Sequence, residues 1–541
     1  MHKKQTEIKA IFGLILLVFL IFLGYPFLCV LGRSFETDGG VGLANYVETF
    51  VNRGFLQSLG NSFLIAAVSA VLAVLLAFVL AYTINQTNTP ALLKRLLSMT
   101  ALLPMLLPTI TYGFAIIYSF GKQGLLTRLL GRQFFEIYGF YGLLIGYVIY
   151  TLPVAFLLIN NTFRYIDKKF IVVSRVMGDR PLKTFWMTIV RPLLGTLAAA
   201  FVQAFFLSFT DYGIPAAVGG EFHVAATTLY NEMLGSIPNF PGGAVVAVTM
   251  LAPSAVSILI LGYLDRYNIR YSKISEIEIN RNRLRDWSFG LASVLVCIGT
   301  LSIFAVIFVI PFVAEWPYNL AFSVSKFFET IDHANLGMVY RNSILVAVLT
   351  SCLGTALSYG AALVTGRSNL AGRAKSLVDG IALVTNTIPG MVLGIAFLFA
   401  FTGSPLHNTF FILIICNVVH FFSTPYLMMK GSLEKMNSSW ETTAMLMGDN
   451  WFKTIVRVVT PNAGPTIVEV FGYYFINSMV TISAVIFIAG ARTMVITTKI
   501  KELQHFAKFD EIFVLSLLIL ATNLAVKAIL WLMTYKSKKE K

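Results

Sequence analysis

A chain of 541 residues that is 57% hydrophobic and only 12% charged would expose too much apolar surface to stay in water. This excludes a soluble enzyme or soluble binding domain and points to a polytopic membrane protein. The net charge of +15 does not argue for a nucleic-acid partner, because the basic residues sit in short stretches between apolar runs.

Lys3 and Lys4 precede an apolar run, 11–32, which is long for a signal-peptide core and has no small-x-small cleavage site after it. It reads as a retained first span. About twelve runs are long enough to cross a bilayer as helices. The first six lie near 11–32, 60–85, 98–120, 138–160, 193–216 and 244–263. The second six lie near 289–312, 342–365, 378–402, 409–429, 463–490 and 512–534. With the N-terminus placed inside, the inside segments hold 29 of the 41 Lys and Arg residues, so both termini are expected in the cytoplasm. The polar stretch 265–287 reads as a cytoplasmic linker between repeats at 1–264 and 288–541. Cys29, Cys297, Cys352 and Cys416 fall in or beside apolar runs, without metal-ligand or disulfide spacing.

The two halves repeat. Asn61-Ser62 returns as Asn342-Ser343, and Pro108 with Gly113 returns as Pro389 with Gly394, both 281 residues on. Thr227-Thr228 with Glu232 returns as Thr497-Thr498 with Glu502, 270 residues on. The stretch GKQGLLTRLLGRQFFEI supplies extra loop residues in the first half, where the second has TGSPLHN. Repeats separated by six spans share one orientation and are related by an axis along the membrane normal.

The most informative repeat is polar. Residues 173–192 read VSRVMGDRPLKTFWMTIVRP, and residues 441–461 read ETTAMLMGDNWFKTIVRVVTP. Both hold Met-Gly-Asp, then Lys-Thr, then an apolar turn closed by proline. Gly178 and Gly448 lie 270 residues apart, both on the inside by charge counting. A glycine followed by aspartate predicts a turn between two short helices, with Asp179 or Asp449 capping the second. Pro192 and Pro461 then mark the start of the next membrane helix.

This pattern resembles the E-A-A-x-x-x-G loop of binding-protein-dependent ABC importer permeases. In the second half Thr442, Thr443 and Ala444 take the E-A-A places, with Gly448, Val458 and Pro461 following. In the first half Val172, Val173 and Ser174 take them, with Gly178, and Pro192 stands one residue farther on. Neither copy has an acid at the first place; Glu441 stands one position before it. The resemblance implies an all-α fold of two parallel six-helix permease repeats, as in type I ABC importers. It implies that the loops are coupling helices seated in two copies of a cytoplasmic ABC ATPase, with an extracytoplasmic binding protein delivering the solute. No phosphate-cradling G-x-x-x-x-G-K-[ST] loop occurs, so the chain is expected to be no enzyme, to carry no cofactor, and to leave ATP to its partner. The setting implied is the bacterial inner membrane.

The two-copy arrangement resembles the ferric-iron, 2-aminoethylphosphonate and thiamine importers, and the stretch 208–233 resembles the first two most. Asp211 and Tyr212 in its Thr-Asp-Tyr-Gly turn, His420 and Glu469 are polar groups within or beside spans. They are candidates to line or gate a pathway, or to bond between helices. The six histidines are scattered and no metal site is expected. A gradient-driven secondary transporter with two six-helix repeats is the alternative.

Overall fold

The computed structural model describes residues 2–37, 39–133, 135–163, 165–167, 169–264, 282–333, 336–437 and 439–539. Helices carry nearly all of the fold, as expected where lipid offers the backbone no hydrogen bonds. Among the described residues the strands form two short antiparallel hairpins, Glu36–Thr37 with Gly40–Val41 and Val313–Glu315 with Asn319–Phe322.

Among the described residues eight helices are long and apolar enough to cross a membrane, and eleven spans result if each of three bent helix pairs counts as one. The expected third and ninth spans are two of these pairs. Ala91–Leu106 meets Thr109–Leu130 at 111°, and Gly372–Thr387 meets Gly390–Phe401 at 106°. The cause is local. Pro108 and Pro389 have no N–H to donate, and the residues before them, Leu107 and Ile388, take the extended backbone that a following proline imposes. In the first pair the Tyr112 hydroxyl donates to the carbonyls of Pro104 and Leu107 just before the break. The third pair, Phe410–His420 with Ser423–Glu434, bends by 56° just before Pro425, whereas Pro153 sits inside the unbroken helix Phe140–Phe163. The expected span near 463–490 is helical only over Thr460–Val480, and it is not among the helices apolar enough to count as a span.

The internal repeat holds at atomic level. Asn61 donates to the His223 carbonyl at 2.9 Å, and Ser62 Oγ accepts the Ala225 N–H at 2.7 Å. In the second half Asn342 donates to the Met494 carbonyl at 3.2 Å, and Ser343 Oγ accepts the Ile496 N–H at 2.7 Å. Thr227 then accepts the Val224 N–H, and Thr498 accepts that of Val495. The structural mate of Thr227 is therefore Thr498, not Thr497. Equal hydrogen-bonding roles set the register here, and identical letters misplaced it by one.

The chain forms two compact units that do not follow the sequence repeats. One comprises Met1–Thr49, Ile237–Leu251 and Phe328–Lys541; the other comprises Phe50–Ser236 and Ala252–Phe327. Each unit takes its opening helix from the other half. In the first unit Ile8, Ile15, Phe19 and Leu23 enter a core built from second-half helices, with the Phe19 ring 4.6 Å from that of Phe422. In the second unit the helix Arg283–Val309 packs on first-half helices. There Phe289 lies 4.3 Å from Tyr82, and the Ser293 and Thr83 hydroxyls share a 2.7 Å bond. Of the expected linker, residues 265–281 lie outside the described residues. The remainder is not linker: Asn282 caps and begins the helix Arg283–Val309.

Gly113 and Gly394 let the restarted helices pack tightly. A Cβ at Gly113 would collide with Ala217 Cβ, and one at Gly394 with the Ala484 carbonyl. Gly113→Val or Gly394→Val is therefore expected to destabilise its unit by about 2 kcal/mol or more. Gly60→Val, where a Cβ meets nothing within 4 Å, should leave thermal unfolding in detergent nearly unchanged.

Candidate functional site

The two polar repeats fold alike. Lys169–Val176 is a helix that ends at Gly178, where φ is +79°; Ser439–Leu446 ends at Gly448, where φ is +83°. This is the left-handed region, which glycine enters without a Cβ penalty. The Asp179 N–H bonds back to the Ser174 carbonyl at 3.1 Å, and the Asp449 N–H to that of Ala444 at 2.9 Å, closing each helix with the same wide C-terminal turn.

The aspartates are not the caps that the sequence suggests. Arg180 and Asn450 hold the N-cap positions, and in the second copy Asn450 Oδ1 accepts the Lys453 N–H at 2.8 Å. Asp179 instead binds Lys183 Nζ at 2.6 Å and accepts from Ser174 Oγ at 2.8 Å. Asp449 pairs with Lys453 in the same i,i+4 relation. The Lys183 and Ser174 hydrogen bonds hold the Asp179 carboxyl below its ordinary value. Ser174 is buried, whereas Val172, Val173, Thr442 and Thr443 are exposed and Ala444 is half-buried.

Pro192 and Pro461 do not begin the membrane helices either. The first helix starts at Pro181 and runs unbroken to Thr210; the second runs through residues 451–480. Each meets its proline with a single π turn, Trp186–Val190 or Ile455–Val459, which absorbs the missing N–H without stopping the helix. The long helix after each turn is therefore continuous through its proline.

At the tip of each turn the apolar side chains point outward. Met177 is 77% exposed and Met447 79%, and both are flanked by exposed partners: Val176 and Leu182 in one copy, Leu446 and Phe452 in the other. Apolar groups held out in this matched fashion have the character of a docking surface.

A family model described as a binding-protein-dependent transport system inner membrane component matches residues 73–269 and again 354–539. The chain belongs to this family, in two copies. The ferric transport system permease protein FbpB of Actinobacillus pleuropneumoniae is 23% identical over 92% of this chain and 74% of the relative. A putative ferric transport system permease protein of Haemophilus influenzae is 25% identical over 92% of this chain and 80% of the relative. The molybdenum transport system permease protein ModB of Mycobacterium tuberculosis is 27% identical, over 36% of this chain and 74% of its own.

The other candidate residues of the permease are dispersed. Asp211 is buried at the end of the helix Arg191–Thr210, where it accepts the Ile214 N–H at 2.9 Å and bonds Thr109. It thereby ties the start of the helix Gly213–Val218 to the restarted helix after Pro108. Tyr212 is buried and stacks on Tyr230 with ring centres 4.8 Å apart. His420 lies at the end of Phe410–His420, beside the 56° bend, with no hydrogen-bond partner for its buried Nδ1. Glu469 is exposed on Thr460–Val480. Asp211 and Tyr212 belong to one compact unit, and His420 and Glu469 to the other. Among the described residues no group of three His, Cys, Asp or Glu side chains could hold a metal ion. The extra loop of the first half, with the hairpin beginning at Val313, borders an open cavity of 510 Å³ lined by residues that include Tyr118, Lys122, Glu136, Tyr138 and Trp316.

Sequence reading missed the outward methionines and Arg367, which pairs with Glu441 at 2.9 Å. The invariant Met-Gly of both copies was the available signal for the first. Nothing in the spacing announced the second.

Nothing lies within 4 Å of a Cβ built at Gly178 or Gly448, so substitution there meets a conformational cost alone. Alanine at either position is expected to cost about 1–2 kcal/mol and asparagine less, read as amide exchange in the preceding helix. The Asp179 contribution should be complete above the ordinary carboxylate value of about 4 and be lost as pH falls through its lowered value. Exchange over 174–184 should therefore show no Asp179-dependent change between pH 5 and 8, in Asp179→Asn as in the parent.

Proposed function

We propose that the chain is the membrane subunit of an ATP-driven importer, and that the solute is ferric iron handed over by an extracytoplasmic binding protein. One observation supports the ATP-driven reading above the rest. Two matched turns, half a chain apart, each present an exposed methionine at the head of an unbroken helix. On this reading each turn seats in one of two copies of a separate ABC ATPase. The chain is then no enzyme and needs no cofactor of its own. A helix of 30 residues, Pro181–Thr210, is about 45 Å long, so a push at its turn reaches the far side of its own unit.

The relatives named for ferric transport match nearly the full chain, which supports iron over 2-aminoethylphosphonate and thiamine. The permease sits in the bacterial inner membrane with both termini and both turns in the cytoplasm, as the distribution of Lys and Arg supports. Asp211, Tyr212, His420 and Glu469 are the pathway candidates. Asp211 acts by holding the restarted helix in place, and His420 by lying at a bend.

The test is reconstitution of the permease with its companion ATPase and binding protein in proteoliposomes. Radiolabelled ferric iron should accumulate only when ATP and both partners are present. The 2-aminoethylphosphonate and molybdate arms should stay at background. Gly178→Val with Gly448→Val should abolish uptake and weaken ATPase retention by about tenfold or more, as two strained turns misplace their methionines. Uptake driven by an ion gradient without the ATPase would establish the secondary-transporter alternative instead.

A further inference from the structure

Arg367 follows directly on the helix Leu336–Gly366, its N–H bonded to the Leu363 carbonyl at 3.0 Å. Its side chain is only 3% exposed. A guanidinium so deeply buried is unfavourable unless its donors and its charge are met. Nη1 donates to the Met436 carbonyl at 3.0 Å and Nη2 to the Asn437 carbonyl at 3.2 Å, both just past the helix Ser423–Glu434. Nε faces Glu441 Oε1 at 2.9 Å, and that glutamate, 11% exposed, lies in the first turn of the second docking helix, Ser439–Leu446. One side chain thus joins the ends of two long helices to the start of the docking helix. The Nε contact lacks hydrogen-bond alignment and Glu441 Oε2 is unbonded, so charge holds this pair.

Among the described residues the first half shows no such pair at the matching positions. The 281-residue register sets Gln86-Thr87-Asn88 against Arg367-Ser368-Asn369, and the 270-residue register sets Ile171 against Glu441. Gln86 is buried and neutral, and Ile171 packs against the apolar core of its unit. Apolar contact is non-directional and tolerates sliding. A buried charge pair has one favourable register, and displacing it strands a charge.

We propose that Arg367 and Glu441 are positioning residues that lock the second docking helix to the helices Leu336–Gly366 and Ser423–Glu434, while the first docking helix, at the matching position, meets its unit through the apolar contact of Ile171. The two ATPase contacts are then mechanically unequal, and the second is the stiffer. The inequality at the ATPase rests on the function proposed above; the lock itself does not.

Two measurements separate these. In the chain alone, in nanodiscs, amide exchange is read over 439–446 and over 169–176. Glu441→Gln, which keeps the side-chain volume, should speed exchange over 439–446 by about tenfold or more and leave 169–176 unchanged. Arg367→Lys, which keeps the charge but loses the fork to the two carbonyls, should give a smaller effect. No change over 439–446, or an equal rise in both segments, overturns the lock. In proteoliposomes with the ATPase and binding protein, Glu441→Gln should lower binding-protein-stimulated ATP hydrolysis by about tenfold. Ile171→Leu, which keeps the apolar contact, should change it less than about twofold. Equal losses from the two variants overturn the inequality. If the unaltered chain engages no ATPase, the proposed function fails while the exchange result still decides the lock.

Discussion

Every backbone N–H and carbonyl that lies away from water must find its partner within the protein, and the structure depends on how that requirement is met. Unbroken helices meet it for most of the chain. Where Pro108 stops a helix, the Tyr112 hydroxyl bonds the carbonyls of Pro104 and Leu107 at the break. Where the chain leaves the helices ending at Thr210 and Val480, Asn61-Ser62 and Asn342-Ser343 receive the returning backbone. These devices occur in pairs because the whole six-helix pattern occurs twice.

The two matched turns use the same economy of parts. A glycine in the left-handed region reverses the chain, a lysine holds the aspartate beside it, and a π turn carries the following helix past a proline. The opening helices add a second constraint. Each is built into the unit of the other half, so neither sequence repeat has its full core without a segment from elsewhere in the chain.

Much of this was legible in the residues. Low charge and long apolar runs announced the membrane, and Met-Gly-Asp at half-chain spacing announced the paired turns. Pro108 and Pro389 stood out only as a repeated pair within single spans near 98–120 and 378–402, and the breaks there with bends of more than 100° were not expected, because packing decides whether a helix restarts beyond a proline and at what angle. Asp179 and Asp449 read as caps because that residue type favours N-caps, yet a lysine one turn away offered each a closer partner. Pro192 and Pro461 read as helix starts because a missing N–H is cheapest there, and the π turn removed that need.

Local chemistry therefore determined the helices, the turns, the repeat and the family, since each depends on residues near one another in the chain. The tertiary structure alone decided the exchange of opening helices, the one-residue shift that pairs Thr227 with Thr498, and the meeting of Arg367 with Glu441. Those outcomes join segments far apart in sequence, and which buried groups satisfy one another across such distances is chosen by packing, not by spacing.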